Sequence, residues 1–204
     1  LPIERRTGFD LPRVRKAITA PRDAPDSSLA LPLGPPVAYA PLPGKAAAVL
    51  AALFEEHGEA RVLLTRRASH LRSHTHEVSF PGGRLDDGEL AVDAALREAW
   101  EEIALDTSDI DIVGMLTPIS TLAATSGITP IVGFLPTRPE IKANPSEVEF
   151  AFDISLAELL AAGSFQAERW AKPWGSNRQI NFFYLSHALV AGPHPRLPRR
   201  APHP

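Results

Sequence analysis

The segment SFPGGRLDDGELAVDAALREAWEEIAL, residues 79–105, governs the interpretation of the whole chain. A Pro-Gly-Gly turn opens it, and the residues that follow favour a helix. Asp86 and Glu89 match a helix-capping pattern, so we expect the helix to run from Asp86 to Ala104. One face of that helix is apolar at helical spacing and carries Val92, Ala95, Leu96, Ala99 and Ile103.

Three carboxylates share one stripe of this helix. Glu98, Glu101 and Glu102 stand at positions i, i+3 and i+4, beside the apolar face, whereas the nearby base Arg97 is expected to project to a different side. Like charges at this spacing repel by roughly 0.3 kcal/mol per exposed pair. A divalent cation that prefers oxygen ligands, Mg²⁺ or Mn²⁺, would turn that repulsion into coordination. Taken alone, such a face is more often simply solvated surface.

The spacing of the whole segment resembles the Nudix box, Gly-x5-Glu-x7-Arg-Glu-U-x-Glu-Glu-x-Gly-U, in which U is apolar. Ala104 replaces the last glycine, at a cost of about 1 kcal/mol in stability if the backbone there is left-handed. The resemblance implies an α/β (α+β) fold: an α/β/α sandwich with a mixed central sheet and a loop–helix–loop catalytic motif. The residues that match the box are Gly83, Glu89, Arg97, Glu98, Ala99, Glu101, Glu102 and Leu105.

The same resemblance implies a metal site for the hydrolysis of a nucleoside diphosphate linked to another group. Glu98 and Glu102 are implied as the leading ligands of Mg²⁺ or Mn²⁺, Glu101 contributes to the cluster, and the carbonyl group of Gly82 completes the site. Attack of water on a pyrophosphate requires its negative charge to be neutralised. Metal ions that bridge carboxylate and phosphate oxygens do this and lower the pKa of the attacking water.

Further catalytic candidates follow from the resemblance. Arg97 and Glu89 are implied to orient the catalytic helix, and Glu101 is counted as catalytic as well as metal-binding. ANPSEVEFAFDISLAELL, residues 143–160, is similar to a segment of one branch of the family. It offers Glu147 or Glu149 as an additional ligand or general base from outside the box. For either residue alone, a role in solubilising an edge strand is the commoner one.

Upstream, residues 63–83 resemble the signature of the coenzyme A pyrophosphatase branch, Leu-Leu-Thr-x-Arg-(Ser/Ala)-x3-Arg-x3-Gly-x3-Phe-Pro-Gly-Gly. The resemblance implies substrate contacts from Arg67, Arg72, Phe80 and Gly83, and arginine suits phosphate because its donors form a fork. Each arginine taken alone could equally pair with a surface acid. The matching residues are Leu63, Leu64, Thr65, Arg67, Ala68, Arg72, Phe80, Pro81, Gly82 and Gly83.

Two residues depart from that signature. His76 replaces its glycine and Glu77 its usual glutamine, which predicts a narrower or differently charged pocket. The substrate is therefore coenzyme A or an acyl derivative, or alternatively a nucleoside triphosphate, ADP-ribose or a nucleotide sugar. A non-catalytic nucleotide-binding module is a further alternative, which the intact REAWEE argues against. His70, His74 and His76 suggest zinc only weakly, because the chain has no cysteine.

Composition excludes several other classes. The 204 residues carry a net charge of −3, so the sequence lacks the excess of positive charge that binding a nucleic-acid duplex requires. No apolar run approaches the length of a membrane span. The absence of cysteine excludes disulfides and fits a cytoplasmic protein. The expected partner is a small nucleotide substrate, and neither a nucleic acid nor a membrane is expected. A homodimer is possible on the sequence alone.

Three regions are expected along the chain. Residues 1–44 are peripheral and proline-rich with one short helix, residues 45–186 form the Nudix domain, and residues 187–204 form an irregular tail. Within the domain we expect a hairpin of KAAAVLAALFEE and RVLLTRR. We also expect strands at residues 110–119, 127–137, 146–155 and 178–186, and a helix at LAELLAA.

Overall fold

The computed structural model describes residues 9–19, 45–70, 77–116, 118–120, 126–172, 175–184 and 189–191. Its helices are α1 (Leu11–Thr19), α2 (Ala91–Ile103) and α3 (Leu156–Leu159). Its strands are β1 (Lys45–Glu56), β2 (Glu59–Arg67), β3 (Val78–Ser79), β4 (Gly82–Arg84), β5 (Asp111–Met115), β6 (Ile119–Ser120), β7 (Ser126–Phe134), β8 (Val148–Ser155), β9 (Phe165–Lys172), β10 (Gly175–Tyr184) and β11 (Leu189–Ala191).

Strand β1 lies at the centre of the larger sheet. One edge of β1 pairs in parallel with β7. Along its other edge, the first half of β1 pairs with β4 and the second half with β2, and both pairings are antiparallel. Strand β8 pairs with the far edge of β2, and β5 and β6 pair with β7. The predicted hairpin of β1 and β2 is confirmed, and its turn places His57 and Gly58 in the left-handed region, at φ 54° and 78°.

Side chains alternate between the two faces of the sheet along each strand, and this forms two apolar layers. Leu50 and Phe54 of β1 point to the face that α2 covers, together with Ala95, Ala99 and Ile103. Leu53 and its neighbours point to the opposite face, which α1 and α3 cover. Because strand side chains alternate with period two, a single strand supplies both layers. The predicted α/β/α sandwich with a mixed sheet is confirmed.

Helix α2 begins later than predicted. The residue before it, Leu90, makes no side-chain capping bond. Asp86 and Glu89 instead close a separate turn, in which the Asp86 amide donates to the Glu89 carboxylate at 2.9 Å and the Glu89 amide donates to the Asp86 carbonyl at 3.0 Å. The expected start at Asp86 is therefore wrong. The end agrees with expectation, because Ala104 is left-handed with φ 51°.

The N-terminal helix belongs to the packed domain rather than to its periphery. The Phe9 carbonyl accepts the Ala60 amide at 2.7 Å, and Ile18 is buried against the sheet. The Arg15 guanidinium lies 4.5 Å from the centre of the Phe134 ring and 2.7 Å from the Asp111 carboxylate. The short helix expected in the first 44 residues is thus present, and it covers one face of the core.

The remaining expectations are met unevenly. Strands β5, β7, β8 and β10 lie where the sequence predicts them, and helix α3 is shorter than the predicted LAELLAA. Strands β9 and β11 were not expected, and β11 lies inside the region expected to be an irregular tail. They flank β10 in a separate antiparallel sheet. In the part of the chain that the structure describes, no helix has the length and hydrophobicity that a membrane crossing needs.

Candidate active site

Two glycines let the turn before α2 pack against both β1 and the helix. A Cβ atom at Gly82 would lie 2.3 Å from the Ala48 carbonyl oxygen, and one at Gly83 would lie 2.3 Å from the Glu98 carboxylate. Both distances are well below van der Waals contact, so a side chain at Gly82 would clash with the β1 backbone and one at Gly83 would displace the Glu98 carboxylate. The Pro-Gly-Gly sequence therefore brings backbone directly against the carboxylates of α2.

Glu102 is the most buried of these carboxylates. Only 3% of the residue is exposed, and its Oε2 atom accepts the Gly82 amide at 3.2 Å. Burial is the main cause that raises the pKa of Glu102 to about 7, and the negative charges of Glu98 and Glu147 add to the effect. The Gly82 amide and the charge of Arg67 oppose it. The site thus holds a carboxylate that is short of positive charge.

Arg97 was expected to project to a different side of the helix from the carboxylates, and this expectation is wrong. Its guanidinium pairs with Glu89 through two bonds, of 2.8 and 2.9 Å. It also donates to Glu98 at 3.0 Å and to Glu101 at 3.1 Å. A last bond, of 3.0 Å, reaches the Arg84 carbonyl at the end of β4. Arg97 therefore ties the turn to the helix.

Opposite pKa shifts mark the two ends of this network. The hydrogen bond from Arg97 is the main cause that lowers the pKa of Glu89 to about 2. Burial raises the pKa of Glu98, and Arg97 only partly opposes that rise. Arg97 thus neutralises Glu89 most completely, and it leaves negative charge unbalanced near Gly83.

The three predicted glutamates do not converge on one point. Glu98 and Glu102 turn towards Gly83 and Gly82, whereas the Glu101 side chain is 49% exposed and turns to Arg97. Within the described ranges, no group of three or more acidic or histidine side chains is placed to hold a metal ion. Two hard oxygen donors in a desolvated position nevertheless suit Mg²⁺ or Mn²⁺. Further ligands would come from a rotated side chain or from substrate oxygens.

The structure separates the two candidates from outside the box. The negative charge of Glu147 adds to the rise in the pKa of both Glu98 and Glu102. Glu149 instead lies 3.4 Å from the Arg66 guanidinium. Glu147 lies just before β8, which begins at Val148, so the alternation of side chains along the strand does not place it on the same face as Glu149.

Predicted substrate contacts are distributed over both faces of the sheet. Gly83 lies in the site, and Arg67 is close enough for its charge to act on Glu102. The Arg67 Nε atom is buried and has no hydrogen-bond partner among the described residues. Phe80 instead lines an apolar cavity of about 570 Å³ on the opposite face, beneath α1 and α3. Arg72 lies outside the described residues.

The histidines do not assemble a zinc site in the described part of the chain. The Nε2 atom of His70 lies 3.1 Å from the Ser146 carbonyl oxygen, while His74 and His76 fall outside the described residues. Asn144 lies in the segment 143–160 that the sequence offers for Glu147 and Glu149, and it contacts the end of α2. Sequence reasoning assigned it no role, because its Asn-Pro pair predicts a turn and no distant partner.

Comparisons with known proteins agree on the family. The NUDIX domain model matches residues 44–174. Nudix hydrolase 3 of Caenorhabditis elegans is 39% identical over 130 residues, which cover 61% of this chain and 54% of that protein. The uncharacterized Nudix hydrolase NudL of Shigella flexneri is 37% identical over 134 residues, which cover 65% of this chain and 69% of that protein. The chain thus spans about half the length of the first relative and about two thirds of the second.

A solved structure gives a weaker likeness. The MutT protein from Methanosarcina mazei Go1 is 24% identical, and the alignment covers 58% of this chain and 81% of that chain with a TM-score of 0.46. A likeness at this level does not extend to a substrate.

Proposed function

This chain belongs to the Nudix hydrolase family, and on that premise we propose that it hydrolyses the pyrophosphate bond of coenzyme A or of acyl-coenzyme A. Water adds to one phosphorus atom and the bridging P–O bond breaks. The products are 4′-phosphopantetheine, or its acyl form, and adenosine 3′,5′-bisphosphate. The observation that carries the proposal is the buried Glu102 beside Glu98, both facing the Gly82–Gly83 turn next to Arg67.

Nudix hydrolases use divalent metal ions, and the residues here fit Mg²⁺ or Mn²⁺. Glu98 and Glu102 would hold the ion, with Glu101, Glu147 and the Gly82 carbonyl as additional oxygen donors. When bound, an ion there would neutralise the diphosphate, activate the attacking water and offset the cost of burying the two carboxylates, whose pKa values burial raises.

The protein's own groups have separate tasks. Arg97 holds Glu98 and the turn together through its bonds to the Glu98 carboxylate and to the Arg84 carbonyl. Glu147 lies outside the box, and its charge acts on both Glu98 and Glu102. We therefore propose it as the general base that accepts a proton from the attacking water. Arg67 has a buried Nε–H without an acceptor among the described residues, and a substrate phosphate oxygen would satisfy it.

A substrate panel with Mg²⁺ or Mn²⁺ tests the proposal. Coenzyme A, dephospho-coenzyme A, ADP-ribose and nucleoside triphosphates are compared by kcat/KM, and we expect coenzyme A to be cleaved fastest. Equal rates for coenzyme A and its dephospho form would remove the coenzyme A assignment. A higher rate with ADP-ribose or a nucleoside triphosphate would support the alternative substrates that His76 and Glu77 suggest.

A pair of arginine variants tests the substrate contact. Arg67→Gln should lower kcat/KM for coenzyme A by about tenfold or more, because a hydrogen bond to a charged group contributes roughly 1.5–3 kcal/mol. Arg138→Gln is the matched control, since Arg138 pairs with Glu56 and Asp153 on another part of the surface. Equal effects of the two substitutions would contradict the role of Arg67.

A homodimer and a cytoplasmic location accompany the proposal as predictions from the sequence. Light scattering during size-exclusion chromatography tests the first, and a mass of one chain, 22.1 kDa, would contradict it.

A further inference from the structure

One loop binds the C-terminal end of α2 and then supplies Glu147. Its Lys142 amide donates to the Ile103 carbonyl, and its Asn144 amide donates to the Glu102 carbonyl, both at 2.8 Å. The last carbonyl groups of a helix have no partner within the helix itself. This loop satisfies them from a position about forty residues further along the chain, so it fixes the last turn of α2 from outside.

The Asn144 side chain bonds in two directions. Its Nδ2 atom donates to the Glu101 carbonyl at 3.2 Å. Its Oδ1 atom accepts the Ser146 amide at 3.2 Å and the Ser146 hydroxyl at 2.7 Å. The amide group of one side chain therefore joins the catalytic helix to the turn that leads into β8.

The backbone of Asn144 extends the same connection. Its carbonyl accepts the Glu147 amide at 3.0 Å and the Val148 amide at 2.8 Å. The Glu147 carbonyl in turn accepts the Ala68 amide at 2.9 Å, next to Arg67. Asn144 thus contacts the backbone of both Glu101 and Glu102 on one side and that of Glu147 on the other.

We infer that Asn144 is a positioning residue that sets the separation of Glu102 and Glu147 and so the geometry of the cation and the attacked phosphate. The inference rests on the proposed hydrolysis of a diphosphate. Without the Asn144 side chain, the Glu101 carbonyl loses its partner, and the last turn of α2 is held to the loop by the two backbone bonds alone. A displacement of about 1 Å costs roughly a hundredfold in rate when groups must be held for reaction.

Three variants separate positioning from folding. Asn144→Ala removes both side-chain connections. Asn144→Asp keeps the acceptor for Ser146 and removes the donor to Glu101. Ser146→Ala is the control, because it removes the hydroxyl bond and leaves both bonds of Asn144 to the helix in place. Each variant is measured for Mn²⁺ affinity by titration calorimetry, for kcat and KM, and for the fraction folded by circular dichroism.

Both Asn144 variants should bind Mn²⁺ about tenfold or more weakly, the usual range for residues that support metal ligands. Their kcat per folded molecule should fall about tenfold or more while KM stays within about twofold, since the loss lies in the geometry of the reacting groups. Ser146→Ala should keep its Mn²⁺ affinity, kcat and KM within about twofold of the wild-type values. The added negative charge of aspartate would strengthen cation binding, so weaker binding by Asn144→Asp must come from the lost donor.

Wild-type Mn²⁺ affinity and kcat in Asn144→Asp would overturn the inference, and this variant decides the matter if Asn144→Ala does not fold. A loss that appears only in the fraction folded would also overturn it. Failure of the wild type to cleave coenzyme A would remove the proposed substrate alone, because Mn²⁺ affinity is measured without substrate and still distinguishes the variants.

Discussion

Carboxylates and arginines meet in two regions of this molecule, with different results. On the surface, Arg138 bonds Glu56 at 2.9 Å and Asp153 at 2.7 Å, and Arg61 also bonds Asp153. Two guanidinium groups thus face two carboxylates, and the charges balance. Hydrogen bonding to Glu56 is the main cause that raises the pKa of Arg138 above its usual range. Such a cluster already has its counter-charges and stabilises structure.

The cluster on α2 is not balanced. Arg97 directs two of its bonds to Glu89, and Glu102 is buried with a backbone amide as its hydrogen-bond donor. The pKa of Glu102 is accordingly raised to about 7. The comparison teaches that the local balance of charge, rather than the number of acidic residues, distinguishes the α2 cluster from a structural ion-pair cluster.

The sharpest test of this contrast exchanges one carboxylate in each region for an amide. Glu102→Gln should lower kcat by about a thousandfold or more, because it removes one of the two proposed metal ligands. Its free energy of unfolding should stay equal or rise near neutral pH, since the cost of burying a charge disappears. Turnover and urea-induced unfolding measure the two effects.

Asp153→Asn is the matched substitution in the balanced cluster. Only 8% of the Asp153 side chain is exposed, so losing its charge leaves Arg61 and Arg138 to share the Glu56 carboxylate and should lower stability by roughly 2 kcal/mol. Its kcat per folded molecule should not change. If Asp153→Asn were the less active of the two variants, the distinction between the clusters would be lost.

A smaller effect on turnover is expected from the glycine that touches Glu98. Gly83→Ala places a Cβ atom 2.3 Å from the Glu98 carboxylate, which must move, so we expect kcat to fall by about a hundredfold. Gly88→Ala is the control, because a Cβ atom there meets nothing within 4 Å although φ is +80°. It should lose about 1 kcal/mol of stability and keep its turnover. Equal turnover in both variants would show that Glu98 tolerates displacement.

The dependence of stability on pH should also distinguish the carboxylates. Folding raises the pKa of Glu102 from 4.5 to about 7, so between these values the folded state retains a proton that the unfolded state has released. Stability from this group therefore falls as pH rises from 4.5 to about 7, by up to about 3 kcal/mol. Urea unfolding of the metal-free protein at pH 5 and pH 8 should show this loss in wild type and not in Glu102→Gln.

Glu89 should act in the opposite direction. Its folded pKa is lowered from 4.5 to about 2, so the stability that it contributes is present above pH 4.5 and is lost as pH falls towards 2. In a plot of unfolding free energy against pH, Glu89→Gln should therefore flatten the acid limb, below pH 4.5. It should leave the limb between pH 5 and pH 8 unchanged. A flattening of both limbs by either substitution would mean that the two carboxylates titrate as one group.

Sequence reasoning succeeds here where the signal is local. The hairpin of β1 and β2 and the apolar face of α2 follow from the pattern of nearby residues, and the left-handed Ala104 stands where the resemblance to the box implies a glycine. Helical spacing also brings Glu98 and Glu102 to the same glycine turn. Each of these features depends on residues only a few positions apart, so periodicity is sufficient to predict it.

The failures arise where a distant partner decides the outcome. Arg97 turns towards Glu89 because a separate turn places that carboxylate beside it, and helical spacing alone does not show this. Asn144 reaches Glu101 across 43 positions, and α1 joins the core through Ala60 and Glu55. A local capping pattern even misplaces the start of α2, because its two residues bond each other before the helix begins.

The smallest expected effect concerns the end of α2, where stability should change and chemistry should not. Ala104 has φ 51°, a conformation that costs alanine about 1 kcal/mol more than glycine. Ala104→Gly should raise the free energy of unfolding by about that amount, less any loss from the more flexible unfolded chain. Urea unfolding measures it. Turnover should not change, because the Ala104 amide would still donate to the Trp100 carbonyl at 2.8 Å and the carboxylates would keep their positions. A loss of activity in this variant would mean that the left-handed turn itself, and not only Asn144, determines where Glu102 points.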